Sequence, residues 1–247
     1  MRQIMKKCPR CMKYDSDNIR FCRHCNTELF FEERFECSEK AKKTEKGLNS
    51  FIAKQLSHPT GIGGRLVFSV MNRQIRPLYE DSIRLLPLSD SDSVLDIGCG
   101  NGNVLNMLAS RSGCNFTGID ISPSAIKSAL KRNRKYVKCE RMKFLCQDMS
   151  KMPFDDCSFN QTYTINTVYF WDNLDVTMAE IRRILKPSGL FINALFTNDT
   201  LNSLSHTKSY KKFTPEELIN AGENTGFTVD TVPVFNGKAY CVLYRKR

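Results

Sequence analysis

The sequence contains no long run of apolar residues. No window of its 247 residues approaches the ~18 consecutive apolar side chains that a membrane-spanning helix requires. Residues 1–7 also lack the apolar stretch that marks a secretory signal peptide. The 11 cysteines would suggest disulfides in a short secreted chain. Without a signal segment, we expect instead a soluble protein of the reducing cytoplasm, with no membrane partner.

Acidic residues are scarcer than basic ones, at 26 Asp and Glu against 37 Lys and Arg, which gives a formal net charge of +11. The basic excess is spread along the chain, and this argues against a dedicated track for DNA or RNA. Only residues 127–143 are dense in Lys and Arg. This stretch could contact RNA phosphates, although a solvated helix face is the more ordinary interpretation.

Four cysteines near the start form two CxxC pairs, Cys8 with Cys11 and Cys22 with Cys25. Two such turns can aim four thiolates at one Zn²⁺ ion, which would fill its tetrahedral shell and make the metal structural. The segment resembles a short zinc ribbon, in which the two turns cap a β-hairpin. RNA or a protein could be bound through such a module. The alternative is four unrelated cysteines.

A linker and helices are predicted between this ribbon, residues 1–31, and the first strongly apolar strand. Residues 32–87 are first polar and charged, and a Pro- and Gly-rich stretch at 58–64 then breaks any helix. Over residues 66–86 apolar side chains recur at helical spacing, with an interruption at Pro77. We expect these helices to cover the ligand site of a domain formed by residues 88–247.

A glycine-rich turn follows the apolar strand Ser93–Ile97. It reads Gly-Cys-Gly-Asn-Gly over residues 98–102 and leads into a helix, as in a doubly wound sheet, whose ligands bind beyond the carboxyl ends of the strands. The GxGxxG spacing of a dinucleotide site is missing, and Asp96 would repel a pyrophosphate. A carboxylate here favours a cationic cofactor such as S-adenosylmethionine. Asp96 could instead be a turn-forming or helix-capping acid.

Two further acidic residues are expected at the same edge of the sheet. Asp120 ends the predicted strand 115–119, and Asp148 follows the predicted strand 142–146. An acid at the end of the second strand can accept hydrogen bonds from ribose hydroxyls, and Asp148 can accept from an adenine amino group. Alternatively, both are ordinary acids of surface loops.

Residues 94–102, 118–122 and 147–154 resemble the successive motifs of the class I S-adenosylmethionine-dependent methyltransferases, and with residues 181–190 the resemblance covers roughly residues 88–247. It implies an α/β fold that is doubly wound, with a mainly parallel seven-stranded sheet and a C-terminal antiparallel hairpin, beside the small zinc-ribbon module. It also implies that the glycine turn holds the methionine part of the cofactor, Asp120 the ribose, and Asp148 with Met149 the adenine. The expected cofactor-binding residues are Asp96, Gly98, Cys99, Gly100, Asn101, Gly102, Asp120, Ile121, Asp148, Met149 and Asn166.

The acceptor is expected beside the segment that follows the strand predicted at 159–165. Three consecutive aromatic residues, Tyr169, Phe170 and Trp171, could line a pocket or could simply pack against the next helix. If the acceptor must lose a proton, the candidate bases are Tyr163, Tyr169 and His206. The Asn/Asp-Pro-Pro-aromatic signature of enzymes that methylate nucleic-acid amino groups is missing.

The C-terminal part is predicted to contain a strand at 190–195, a Ser-, Thr- and Asn-rich loop at 197–212, and a capped helix that starts at Thr214. Strands near 228–234 and 239–245 flank Asn236 and Gly237, a strong hairpin signal. This terminal antiparallel pair fits the resemblance and not a plain dinucleotide-binding fold.

The leading hypothesis is an enzyme that methylates a small molecule. An RNA methyltransferase that grips its substrate through the ribbon and the basic helix is the second hypothesis, and a non-catalytic, cofactor-binding regulator is the third. RNA binding through phosphates would weaken steeply with salt, whereas binding of a small acceptor would respond little.

Overall fold

The structure is a computed structural model, and it describes residues 5–7, 14–16, 75–204, 207 and 210–247. The chain divides into two compact units, Met1–Glu36 and Cys37–Arg247. The expected zinc ligands Cys8, Cys11, Cys22 and Cys25 lie outside the described residues, as does His206. The ribbon and this candidate base therefore stay predictions.

In the first unit, two short strands are described. Strand β1 (Met5–Lys7) pairs antiparallel with strand β2 (Tyr14–Ser16), with Lys7 opposite Tyr14.

The second unit contains the predicted seven-stranded sheet. Its strands are β3 (Ser93–Ile97), β4 (Asn115–Asp120), β5 (Met142–Cys146), β6 (Phe159–Ile165), β7 (Leu185–Phe196), β8 (Phe227–Val234) and β9 (Ala239–Lys246). They lie in the order β5-β4-β3-β6-β7-β9-β8. The first five are parallel, whereas β9 runs antiparallel between β7 and β8. The doubly wound α/β sheet and the terminal antiparallel pair are confirmed.

Seven α-helices connect the strands of the described part. They are α1 (Arg76–Arg84), α2 (Asn103–Ala109), α3 (Pro123–Arg132), α4 (Arg134–Lys138), α5 (Leu174–Ile184), α6 (Asn198–Ser203) and α7 (Pro215–Asn224). The Ser122 hydroxyl caps α3 by accepting a hydrogen bond from the Ala125 N–H. Thr214 and Glu217 form a reciprocal capping box at the start of α7, as the sequence predicted.

Two hydrophobic clusters cover the two faces of the sheet because side chains alternate along each strand. On β3, Val94 belongs to one cluster, whereas Leu95 and Ile97 belong to the other. Both faces are buried, which is the arrangement expected of a parallel sheet covered by helices.

Pro77 lies in the first turn of α1, where its missing N–H costs no hydrogen bond, and residues 66–74 before this helix lie outside the described residues. Two local predictions are corrected. Part of the predicted loop at 197–212 is helix α6, because the Thr197 hydroxyl accepts from the Thr200 N–H and Leu201 is buried. Strand β7 starts at Leu185, five residues before the predicted strand, with Ser188 at a positive φ of 61°.

Candidate active site

The carboxyl ends of β3, β4 and β5 bring three acidic residues to one edge of the sheet. Asp96 lies near the end of β3, Asp120 ends β4, and Asp148 comes two residues after β5. Because these strands are parallel neighbours, their ends meet at the same edge. All three acids thus lie at the same edge of the sheet, and their role in binding a cofactor stays a prediction.

The glycine turn is tied to the neighbouring strand β4. The N–H groups of Gly98 and Cys99 both donate to the Ile119 carbonyl, at 2.8 and 2.9 Å. Gly98, Gly100 and Gly102 all have positive φ angles, of 75°, 52° and 68°. A left-handed backbone at alternate positions is accessible to glycine at little cost, and this explains the spacing of the three glycines.

The three glycines differ in what faces them. A Cβ at Gly98 would lie 2.5 Å from Thr167 Cγ2, and one at Gly102 would lie 2.5 Å from Asn133 Nδ2. A Cβ at Gly100 would meet nothing within 4 Å among the described residues. The outer glycines are therefore required for packing, while Gly100 turns its backbone towards open space.

Asp120 is held by backbone hydrogen bonds on both oxygens. The Gly100 N–H donates to Oδ2 and the Ser122 N–H donates to Oδ1, each at 2.9 Å. The first of these bonds couples the carboxylate directly to the glycine turn. At the next strand end, the Ser150 N–H donates to Asp148 Oδ1 at 2.8 Å. Ile121 and Met149, which follow these two acids, are half-buried against opposite hydrophobic clusters.

The far end of the turn is held from α3 and the residue after it. Arg132 Nε donates to the Asn101 carbonyl at 3.1 Å, and Asn133 Nδ2 donates to the Gly102 carbonyl at 3.0 Å. Asn133 is fully buried, and its Oδ1 accepts from Asn106 Nδ2 at 2.9 Å. The sequence analysis did not identify Asn133. The one signal available for it was an uncharged amide side chain between two basic neighbours.

Asp96 lies under the turn and is only 4% exposed. The Tyr163 hydroxyl on β6 donates to its Oδ2 at 2.9 Å. Burial raises the pKa of Asp96 to about 8, the Tyr163 hydrogen bond acts to lower it, and the negative charge of Asp120 raises it further. Burial and the adjacent Asp96 raise the pKa of Tyr163 well above its usual value. Asp96 and Tyr163 therefore form one buried, hydrogen-bonded pair in which the pKa of each group is raised.

The segment after β6 packs directly against the glycine turn. Asn166 has a φ of 58°, and its N–H donates to the Ala194 carbonyl at 2.8 Å. The Tyr169 hydroxyl donates to Asn166 Oδ1 at 3.1 Å and accepts from the Phe196 N–H at 2.7 Å. Both hydrogen bonds fix Tyr169, and burial raises the pKa of its hydroxyl far above the usual value.

The three consecutive aromatic residues make different contacts, and whether they line an acceptor pocket stays a prediction. Trp171 is buried, stacks with Phe191 at 6.4 Å between ring centroids, and donates from Nε1 to Thr167 Oγ1. Tyr169 stacks with Tyr210 at 5.3 Å, and Phe170, which is 38% exposed, meets Tyr210 edge-on at 4.8 Å. Trp171 therefore packs the core, while Tyr169, Phe170 and Tyr210 form what we term the aromatic cluster.

The described residues contain neither a metal-binding cluster nor a membrane-spanning helix. Within residues 75–204, 207 and 210–247 and the hairpin strands, no three His, Cys, Asp or Glu side chains are arranged to hold a metal ion. No helix of this same part of the chain is both long and apolar enough to cross a bilayer.

Comparisons with known proteins agree with the predicted enzyme class. Residues 95–193 match the family model described as a methyltransferase domain. The sterol 4-C-methyltransferase of Caenorhabditis elegans is 38% identical over 131 residues, which are 52% of this chain and 39% of that protein. The 24-methylenesterol C-methyltransferase 2 of Oryza sativa subsp. japonica is 32% identical over 123 residues, 49% of this chain and 34% of that protein. The matched part thus spans less than half the length of these curated relatives.

Solved structures share the fold at low sequence identity. One such structure is a chain from the complex between the Haloferax volcanii Trm112 methyltransferase activator and a methyltransferase. It superposes with a TM-score of 0.64 at 21% identity, covering 72% of this chain and 92% of that one. The geranyl diphosphate C-methyltransferase of Streptomyces coelicolor A3(2), solved with S-adenosyl-L-homocysteine, gives 0.62 at 15% identity, with 78% and 87% covered. Both likenesses concern the fold alone.

Proposed function

We propose that this chain is an S-adenosylmethionine-dependent enzyme that transfers a methyl group to a small, largely apolar acceptor of the sterol or isoprenoid kind. The observation that carries the proposal is the meeting of Asp96, Asp120 and Asp148 with the glycine turn at one edge of the sheet. The sequence likeness to sterol C-methyltransferases supports both the reaction and the acceptor class.

The described residues fit a cationic methyl donor. Among the described residues nothing lies where another residue at Gly100 would place a Cβ, so a ligand can approach the backbone there. Asp96 is a buried carboxyl that pairs with no Lys or Arg among the residues described. A buried carboxylate without a counter-ion is costly, and the positive charge of a bound donor would offset that cost.

Each part of the site has a separate task in this proposal. When bound, S-adenosylmethionine supplies an activated methyl group on a sulfonium, whose departure leaves a neutral thioether. The glycine turn holds the methionine part, Asp120 accepts from the ribose hydroxyls, and Asp148 with Met149 holds the adenine. Catalysis then depends mainly on holding the acceptor in line with the methyl group and on excluding water.

The aromatic cluster supports an apolar acceptor. Tyr169 and Phe170 lie shortly after β6, and the Tyr169 hydroxyl donates to Asn166 Oδ1. Aromatic faces bind flat apolar molecules and also stabilise adjacent positive charge. Tyr163, Tyr169 and His206 remain predicted bases for an acceptor that must lose a proton.

The proposal is tested by incubating the purified chain with methyl-labelled S-adenosylmethionine and separate panels of sterols, isoprenoid diphosphates, RNA and protein. We expect label in the sterol or isoprenoid panel, abolished by Asp120→Ala and retained by the exposed control Asp230→Ala. Label in RNA would favour the RNA methyltransferase instead. Cofactor binding without transfer to any panel would favour the regulator.

We further propose that residues 1–31 form a structural zinc ribbon, made in a reducing compartment such as the cytoplasm. The two CxxC pairs support this, as does the hairpin whose strands border the first pair. Elemental analysis should find one zinc per chain; Cys22→Ser should lower this content and Cys139→Ser should not.

A further inference from the structure

The carboxyl of Asp96 is enclosed by groups that do not neutralise it. Tyr163 on β6 donates the one hydrogen bond described for its side chain. Burial raises the pKa of Tyr79 on α1 and of Cys99 in the glycine turn, and the charge of Asp96 raises both further. Asp120 on β4 adds a second negative charge. Every titratable group described around Asp96 is thus neutral or anionic.

This environment favours different protonation states of Asp96 before and after a cation binds. A buried carboxylate that faces another carboxylate and no cation is less stable than the neutral acid. A positive charge placed beside it reverses this preference, because the opposite charge favours the ionised form. Tyr163 can hydrogen-bond to the carboxyl in both states and so keeps it oriented towards the turn.

We infer that Asp96 is protonated in the free protein and releases its proton to solvent when the cationic methyl donor binds, with Tyr163 as the positioning residue for its carboxyl. The O–H bond of Asp96 breaks, the proton passes to the buffer, and the carboxylate charge is balanced by the donor. This inference rests on the proposed function, since it requires a cationic ligand at the glycine turn.

Proton release is measured by isothermal titration calorimetry of the full chain at pH 6.5, in phosphate and in Tris. These buffers differ in ionisation enthalpy, so the difference in apparent binding heat counts the protons released. With S-adenosylmethionine we expect close to one proton for the unchanged chain and none for Asp96→Asn. Since the donor's own amino group titrates near pH 8, the Asn variant also corrects for any proton that comes from the ligand.

The demethylated product locates the positive charge. S-adenosylhomocysteine keeps the ammonium group and lacks the sulfonium. If both ligands cause proton release, Asp96 pairs with the ammonium group. If the methyl donor alone causes it, Asp96 pairs with the sulfonium. Either result supports the inference. Binding with heats independent of the buffer would overturn it while leaving the proposed function intact. The absence of any binding would instead remove the proposed function.

The role of Tyr163 has its own readout. Because the Tyr163 hydrogen bond acts to lower the pKa of Asp96, Tyr163→Phe should shift the pH dependence of cofactor affinity to higher pH. We expect affinity at pH 6.5 to fall by about tenfold, the size of one hydrogen bond to a charged group. Tyr244→Phe is the matched control, since it removes a buried hydroxyl that donates to the Leu218 carbonyl in the other hydrophobic cluster. An unchanged pH profile in Tyr163→Phe would contradict the positioning role.

Discussion

At the scale of single residues, the site depends on glycines, which have no side chain, as much as on particular side chains. The two loops that follow β3 and β6 approach so closely that Gly98 has no room for a methyl group beside Thr167. Asp96 shows the opposite case, since a charged residue type is buried where few charges are tolerated. The close approach of the loops at Gly98 and the burial of Asp96 both reduce the stability of the fold, and a ligand-binding role of the site explains why both are present.

Gly98→Ala should destabilise the protein more than Gly237→Ala. Both positions have a positive φ, of 75° and 77°, but only Gly98 has a neighbour that a Cβ would strike. Backbone strain of about 1 kcal/mol is expected at both, and overpacking should add about 1–3 kcal/mol at Gly98. Urea unfolding of the two variants measures the difference. Equal losses would show that Thr167 moves aside without cost.

The stability of the free protein should fall as pH rises from about 4 to about 8. The folded-state pKa of Asp96 is raised to about 8, so the folded form binds a proton more tightly than the unfolded form does. That contribution is complete below the unfolded pKa and is lost as pH rises through the folded pKa. Asp96→Asn should flatten this part of the curve and be the more stable form at pH 9, as measured by chemical denaturation. Parallel curves for the two proteins would show that Asp96 is not protonated in the fold.

At the scale of elements, the loop between β5 and β6 is held by one arginine of α5. Arg183 donates to the carbonyls of Phe154 and Met152, at 2.7 and 3.2 Å, and to the carboxylates of Glu180 and Asp156. Glu180 in turn accepts from the Met152 N–H at 2.6 Å. The loop begins at the residues proposed to bind adenine. Helix α5 therefore fixes one border of the site, although α5 itself contributes no proposed binding residue.

Arg183→Ala should therefore loosen this loop, at a cost of about 1–2 kcal/mol, which is less than for a fully buried pair because the Asp156 carboxylate is exposed. Arg76→Ala is the control, since it breaks a surface ion pair within α1 and should leave stability unchanged. Thermal unfolding compares the two, and cofactor titration should show weaker binding in Arg183→Ala alone. Equal behaviour of both variants would contradict a role for Arg183 in holding the loop.

At the scale of the whole molecule, the winding of the sheet places the site. The chain runs outward from β3 through β4 to β5 and then returns to the other side of β3 as β6. Such a reversal leaves a crevice at the carboxyl ends of the two central strands, where ligands of open α/β sheets bind. Asp96 and Tyr163 stand on the two strands that border this crevice.

A cofactor that binds only the folded state should raise the stability of the whole domain. At a ligand concentration of about 100 times Kd, the gain is about 2.7 kcal/mol. We expect this gain with S-adenosylhomocysteine for the unchanged chain and for Asp230→Ala, and its loss in Asp120→Ala. Each variant is compared with its own ligand-free form, since Asp120 also holds the backbone of Gly100 and Ser122. A full gain in Asp120→Ala would remove Asp120 from the site.

The outcomes divide according to the range of the interactions involved. Local patterns predicted β3, the cap at Ser122, the capping box at Thr214 and the hairpin at Asn236 and Gly237 correctly, because neighbouring residues decide such features. Helix α6 was missed because buried Leu201, and not the polar composition around it, stabilises that turn. Asn133 could not be assigned from the sequence, since its partner Gly102 is 31 positions away.

By itself the sequence determined where most strands lie along the chain, the three glycines and the three acids at strand ends, because each follows from the chain's local chemistry and alternation. Only the tertiary structure decided which groups face one another: Tyr163 with Asp96, Thr167 with Gly98, and Tyr210 with Tyr169. These contacts join residues from different elements. Their distances and burial depend on how the strands and loops pack, and no local pattern encodes that.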